Sequence, residues 1–560
     1  MSGESVYLTK PWLANYDKKV PEYIEYEELL LYDFLKRSAA EFPESPALNF
    51  QGYKINFKKF KEMVDTFAGF LNSIGIKKGD SVSILLPNVI PCVIAYYAIM
   101  RIGAICVMNN PLYSDRELEH QFNDSDSKVL ITLDLLANRM IELRNKTKIK
   151  QIIYTSIGDY LPFPKNFLFP LVGKKKGLAA SVNKADNLDK WKDILSESYP
   201  AAPDAKLSFE DIAMYQYTGG TTGASKGAEL THGNVSKNIQ QSAAWFNEFG
   251  RGEHIMLGAL PFFHVFGLTC CMNFAVYMAW ENVLVPKPQP DPLLEAIVKY
   301  KPSFTPLVPT MYIGLIEHPD IEKYDLSFIK GCFSASASLP LNVLETFEKK
   351  TGATIVEGYG LSETAPVVHL NPFAKGKRKI GSIGLPALDT ITRVVDLADG
   401  ETDVPIGENG ELVIKGPQVM RGYVNKPEET ANVLKDGWFF TGDIGYMDKD
   451  GYFFIVGRKK NMIISGGLNV YPRDIEEVYF KHPKISEVAA VGIPHKTRGE
   501  AVKLFVVLKK GEKAASEELI KYAEDKLAKY KWPVEVEFMT ELPKTNVGKV
   551  LKRALRKKEG

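Results

Sequence analysis

Between Asp80 and Thr132 two kinds of apolar segment alternate. SVSILL, AICVMN and KVLIT are short and β-rich, whereas PNVIPCVIAYYAIMRIG and SDRELEHQFNDS have helical length and spacing. Strand, helix, strand, helix, strand in about 50 residues is the punctuation of βαβ units. It predicts a largely parallel sheet covered by helices. Ser114 followed three residues later by Glu117 forms a capping box, which fixes where the second helix starts.

The chain is 560 residues long, more than one hydrophobic core usually serves, so at least two domains are expected. After about Gly381 the pattern changes to short alternating strands such as ELVIKG and YFFIVG, separated by turns such as MDKDG, which predicts a β-rich subdomain. Residues 459–560 carry strand patterns at VAAVGI and KLFVVLKK and a helical one at SEELIKYAEDKLAKY. That stretch suits an independent α+β domain. FPKNFLFPLVGKKKG, 163–177, interrupts the alternation with aromatic and aliphatic residues, prolines and three lysines. Such an insertion fits a loop packed on its own domain, and as a functional feature it fits contact with a membrane surface.

Lys and Arg total 70 against 68 Asp and Glu, so the net charge of +2 offers no long-range attraction to nucleic acid. Any anion site must be built locally. The five cysteines lack metal-site spacing and sit in apolar runs, as expected in a reducing cytoplasm. The N-terminus has no apolar core behind a basic start, and Val89–Met100 and Leu268–Trp280 are too short to span a bilayer. A cytoplasmic protein with buried helices is expected.

Four segments carry candidate chemistry. YTGGTTGASKG, 217–227, brings glycines, hydroxyls and Lys226 together after an apolar run, a combination able to surround a polyphosphate with N–H groups and a cation. It is not a Walker A loop. VEGYGLSETAP, 356–366, offers the flat Tyr359 ring for stacking on a base and Glu363 as a hard oxygen ligand for Mg²⁺. WFFTGDIGYMDKDGYFFIVGRKKNMIISGGLN places Asp443 and Arg458 where a carboxylate and a guanidinium suit a ribose. PKTNVGKVLKR places Lys549 in a glycine-containing C-terminal loop. Alone, each segment also reads as an ordinary loop or turn.

In this order and spacing the segments resemble the adenylate-forming superfamily of acyl-CoA synthetases, aryl-CoA ligases, firefly luciferase and peptide-synthetase adenylation domains. The resemblance runs from about residue 30 to 555 and is greatest to bacterial and archaeal long-chain fatty acid–CoA ligases, partly through YLPFPKNFLFP, SVSILLPN and VPTMY. It implies an α/β fold: a large N-terminal domain of βαβ-type sheets with a β-rich subdomain, 1–458, and a small mobile α+β C-terminal domain, 459–560, hinged near Lys460.

It also implies ATP, Mg²⁺ and coenzyme A as cofactor and co-substrates, with a fatty acid as acyl donor. Thr218, Gly219, Thr221, Thr222, Gly223 and Lys226 would hold the pyrophosphate part of ATP, and Ser362 a phosphate. Glu363 and Thr221 would hold Mg²⁺; Glu357, Gly358 and Tyr359 would meet adenine; Asp443 and Arg458 would meet ribose. Lys549 would bridge carboxylate and α-phosphate, cancelling charge as two anions approach. Gly466 would line a pantetheine tunnel, and His264, Gly384 and the stretch 333–340, with Ser336, would border the acyl group. Ser225 stands where the family often has proline, and serines and alanines at 334–338 replace common glycines. Medium-chain or aryl acids, a carrier-protein acceptor, a non-catalytic nucleotide-binding relative and a homodimer stay open.

Overall fold

The structure is a computed structural model that describes residues 5–203, 205–218, 225–374, 376–544 and 550–556. Every count and absence below refers to those residues. The expected alternation forms strands Ser81–Leu85, Ile105–Met108 and Ser127–Leu133, all parallel, with helices Ile90–Ile102 and Asp115–Asp124 between them. The first helix begins with a proline in its first turn and ends at Gly103, whose φ of 69° closes the helix at no side-chain cost. It is buried nearly all round because it lies between two sheets. In the second, the Ser114 backbone N–H donates to Glu117 Oε2 at 2.8 Å, completing the capping box.

These strands belong to an eight-stranded sheet that also contains Ile212–Thr218 and, antiparallel to it, Lys226–Thr231. A nine-stranded sheet carries parallel strands Ile255–Gly258, Phe304–Leu307, Gly331–Ser334 and Thr354–Gly360. One continuous apolar core, including Phe60, Tyr97, Trp191, Phe262 and Phe304, fills the space between and around the sheets. The apolar stretch from Leu268 is a buried helical segment with a π turn at Leu268–Asn273, as its length implied. All five cysteines are buried and free, and no helix among the described residues is long and apolar enough to cross a membrane.

The β-rich region is a five-stranded sheet that includes Gly410–Lys415, Trp438–Met447 and Phe453–Arg458. A fourth sheet, also five-stranded, is built from residues 463–538 around the long hairpin Ile485–His495 and Gly499–Leu508, and has its own core around Ile475, Tyr479 and Leu504. Its helix Pro472–Phe480 rests on the strand ending at Arg458, where Arg473 Nη1 donates to the Ile455 carbonyl at 2.6 Å.

Two local expectations need correction. The helical pattern of 516–530 folds as a helix only over Ser516–Tyr522, because the next N–H groups bond three residues back and Trp532 Nε1 takes the Leu527 carbonyl at 2.7 Å. Residues 165–175 are not a loop but a helix, Lys165–Lys175, despite Pro170 within it. Phe169 turns inward against Gly158, while Phe163, Phe167 and Leu171 are 85%, 77% and 73% exposed.

Candidate functional site

Four of the candidate residues lie at or just beyond the carboxyl ends of parallel strands, where ligands of open α/β sheets bind. Thr218 ends the strand Ile212–Thr218, and Ser336 follows Gly331–Ser334. Tyr359 lies near the end of Thr354–Gly360, and His264 follows Ile255–Gly258. Gln216 Nε2 donates to the Phe263 carbonyl at 3.0 Å, tying the two sheets together beside His264.

Thr218 pairs with Lys226 across the hairpin whose tip holds the phosphate-loop candidates. Gly219, Thr221, Thr222 and Gly223 lie outside the described residues. Ser225, where the resemblance leads one to expect proline, is held from helix Asp115–Asp124: His120 Nε2 donates to its carbonyl at 2.9 Å and Gln121 Nε2 to its Oγ at 3.2 Å. A cleft of about 530 Å³ lined by Arg116, His120, Asp124 and Lys426 borders this end of the loop. Lys226 forms an ion pair with Glu429 and lies 5.2 Å from the centre of the Tyr423 ring. Neither partner was anticipated from sequence.

Tyr359, Asp443 and Arg458, 99 positions apart at the extremes, meet in one cluster. Asp443 and Arg458 are register partners on adjacent antiparallel strands, with Arg458 Nε 2.7 Å from Asp443 Oδ1. The Tyr359 hydroxyl donates to Asp443 Oδ2 at 2.6 Å. Asp443 is 3% exposed and its charge, more than any other influence, raises the Arg458 guanidinium above its ordinary value. The Tyr359 hydroxyl is pushed up by burial first and then by Asp443, so it stays a hydrogen-bond donor. Behind Tyr359 lies His369, with ring centres 5.7 Å apart and no hydrogen bond to either ring nitrogen. Burial depresses the His369 value to about 3, so this imidazole is neutral packing.

A Cβ on Gly358 would lie 2.4 Å from the Phe333 ring and 2.9 Å from the His369 carbonyl oxygen, so glycine there lets the strand carry Tyr359 close to its neighbours. Glu357 points into the interior, where its Oε1 accepts from the Leu339 N–H at 3.0 Å and burial raises its value. Ser362 and Glu363 occupy the turn Ser362–Thr364. Glu363 Oε1 accepts from the Tyr423 hydroxyl at 2.8 Å.

Among the described residues no group of three or more His, Cys, Asp and Glu side chains is placed to enclose an ion. A single half-buried carboxylate such as Glu363 fits Mg²⁺ carried by a nucleotide, since this ion keeps waters and phosphate oxygens and needs few protein ligands.

His264 caps the short helix Val265–Gly267, its Nδ1 accepting from the Phe266 N–H at 3.2 Å. Phe266 stacks edge-on against Phe333 at 5.3 Å, which joins this segment to the stretch 333–340. Ser336 has φ of +75°, a conformation easy for glycine and strained for serine, at one of the positions where the resemblance leads one to expect glycine. Gly384 is required by its own backbone, because a Cβ there would fall 2.1 Å from the Leu370 carbonyl carbon.

Lys459 pairs with Glu411 Oε2 at 3.0 Å, and Arg556 Nη1 donates to the Lys460 carbonyl at 2.9 Å, so both flanks of the expected hinge are tied down in this conformation. Gly466 and Gly467 have φ of 61° and 80° in the two-residue turn between Ile463–Ser465 and Leu468–Val470. That turn demands glycine at both positions by itself. Lys549 lies outside the described residues. Tyr423 and Glu429 were missed because RGYVNKPEET, read locally, is only a turn entering an acidic helix start.

Comparison with known proteins agrees with this geometry. The family of AMP-binding enzymes matches residues 35–424, and that of the AMP-binding enzyme C-terminal domain matches residues 474–549. A long-chain-fatty-acid–CoA ligase of Bacillus subtilis is 48% identical, with 98% of each chain covered, and one of Escherichia coli is 39% identical with the same coverage. The crystal structure of ATP-bound MatB from Rhodopseudomonas palustris superposes with a TM-score of 0.82 at 26% identity, covering 95% of this chain and 99% of that one.

Proposed function

We propose, on the premise that this chain belongs to the family of AMP-binding enzymes, that it is an ATP-dependent acid–thiol ligase for long-chain fatty acids. It activates the acid as an acyl adenylate, releasing pyrophosphate, and passes the acyl group to coenzyme A with release of AMP. ATP, Mg²⁺ and coenzyme A are its cofactor and co-substrates. The observation that carries this reading is that Tyr359, Asp443 and Arg458 meet in one cluster, that Tyr423 joins Lys226 to Glu363, and that the Glu363 charge is among those that raise the Arg458 guanidinium.

In this reading Tyr359 stacks on adenine, with Gly358 and Glu357 behind it, and Asp443 accepts a ribose hydroxyl beside Arg458. Lys226, Thr218, Ser362 and the loop residues Gly219, Thr221, Thr222 and Gly223 hold the phosphates, while Glu363 and Thr221 hold Mg²⁺, which neutralises the phosphate charge. His264 and Ser336 flank the carboxylate end of the acid. Residues 459–560 turn about Lys460 to present first Lys549 and then the Gly466 turn.

We place the enzyme in the cytoplasm, in peripheral contact with membranes through the exposed apolar face of helix Lys165–Lys175, whose flanking Lys174, Lys175 and Lys176 suit anionic lipid. Sedimentation with phosphatidylglycerol vesicles tests that contact: Phe167→Glu with Leu171→Glu should abolish it, and unchanged binding refutes it. The mass of the same preparation in solution decides between one copy and a homodimer. Acid and acceptor specificity are tested by thioester formation from acids of rising chain length and from aryl acids, with coenzyme A or a phosphopantetheinyl carrier protein as acceptor. Preference for aryl acids or for the carrier refutes the assignment.

A further inference from the structure

The segment from Met420 to Thr430 packs against the strand Lys226–Thr231 and the Glu363 turn and is fixed along its length. Met420 N–H donates to the Glu363 carbonyl at 2.8 Å, Arg421 N–H to that of Glu229 at 3.0 Å and Val424 N–H to that of Gly227 at 2.8 Å. Gly422–Tyr423 is a strand paired with Lys226–Thr231, and the Tyr423 N–H donates to Thr430 Oγ1 at 2.9 Å, which anchors helix Pro427–Val433. Three side-chain interactions follow from this placement. The Tyr423 hydroxyl holds one oxygen of Glu363, the Tyr423 ring faces the Lys226 ammonium, and Glu429 pairs with that same ammonium.

A lysine needed for a polyphosphate is therefore already neutralised by a carboxylate from the first turn of a neighbouring helix. The Lys226 and Glu429 side chains are 29% and 38% exposed, so the pair is screened and weak enough to be exchanged. A triphosphate brings more negative charge than one carboxylate and takes the lysine over. Glu429 meanwhile keeps the ammonium beside the Tyr423 ring.

We propose that residues 420–430 form a counter-ion latch on the phosphate site: Glu429 holds Lys226 until the triphosphate of a nucleotide displaces it, and Tyr423 is a positioning residue that ties Glu363 to Lys226. The inference rests on the ATP reading above and adds two residues to it. In the latch, Glu429 is a competitor of ATP, so its neutralisation should tighten binding. Loss of a merely structural contact would weaken it.

The test is calorimetric titration of the full chain with ATP, with and without Mg²⁺, and with inorganic tripolyphosphate. Glu429→Gln should bind ATP and tripolyphosphate about 1.5-fold to fivefold more tightly than wild type, the span expected for one partly exposed ion pair. Adding Lys226→Met should erase that gain. Tyr423→Phe keeps the ring and removes the hydroxyl, so the ratio of ATP affinities with and without Mg²⁺ should fall by a similar factor within one folded protein. Equal or weaker binding by Glu429→Gln overturns the counter-ion role, and an unchanged Mg²⁺ ratio in Tyr423→Phe overturns the positioning role. Wild-type protein that fails to bind ATP overturns the latch together with the nucleotide reading, whereas wild-type binding with an unaltered Glu429→Gln overturns the latch alone.

Discussion

Asp443→Asn changes one oxygen to nitrogen at the centre of the Tyr359–Asp443–Arg458 cluster and preserves its shape. A carboxylate offers about four lone-pair sites: Tyr359 takes one on Oδ2 at 2.6 Å, and Arg458 takes two, Nε on Oδ1 at 2.7 Å and Nη2 on Oδ2 at 3.4 Å. One on Oδ1 remains for a ribose hydroxyl. The amide puts an NH2 donor in place of one oxygen and removes the charge, so the ribose hydroxyl loses its charged acceptor. A hydrogen bond to a charged group contributes roughly 1.5–3 kcal/mol, which corresponds to about 10- to 150-fold weaker ATP binding. The protein itself should lose only about 1–2 kcal/mol, because Arg458 is 37% exposed and regains water. Calorimetric titration with ATP, paired with the urea midpoint, separates the two effects. An ATP dissociation constant within twofold of wild type would refute the ribose role and leave Asp443 as a structural partner of Arg458.

Three further perturbations have signed outcomes. His232 and His369 are buried with values depressed to about 4 and about 3 from the ordinary 6.5, so below pH 6.5 the unfolded chain binds protons that the folded chain refuses. Stability should be whole above pH 6.5 and fall towards pH 4 by about 1.4 kcal/mol per pH unit per histidine; His369→Phe should remove its share of the slope in urea titrations, and an unchanged slope contradicts this. Gly384→Ala, at φ of +93° with a Cβ 2.1 Å from Leu370 backbone, should cost more than about 3 kcal/mol or abolish soluble expression, and wild-type urea stability would contradict the close packing. Lys549→Ala should slow adenylation roughly 10²–10³-fold or more while ATP binding holds, and an unaffected rate would remove the lysine from the mechanism.

Sequence revealed most where the physics is local. Buried parallel strands are continuous apolar runs, so SVSILL, AICVMN and KVLIT could be read directly, and the Ser114–Glu117 box marked its helix start. Tyr359, Asp443 and Arg458 could be named through a resemblance, but their meeting depends on strand register across a bulge, which no local pattern encodes. Helix Lys165–Lys175 was hidden by Pro170, and the helix from Ser516 was overextended because Trp532, ten residues past its observed end, intercepts the Leu527 carbonyl. Tyr423 and Glu429 were illegible for the same reason: their partners Glu363 and Lys226 lie 60 and 203 positions away.

In the function proposed above, one site runs two half-reactions through an acyl adenylate. Incubating the protein with a long-chain fatty acid, ATP and Mg²⁺ without coenzyme A, and analysing the bound species by mass spectrometry, tests it directly. Acyl-AMP and pyrophosphate should form, with the trapped acyl group moving to coenzyme A on its addition without further ATP. Formation of ADP with an acyl phosphate, or thioester only when all substrates are present together and no trapped adenylate, would contradict it.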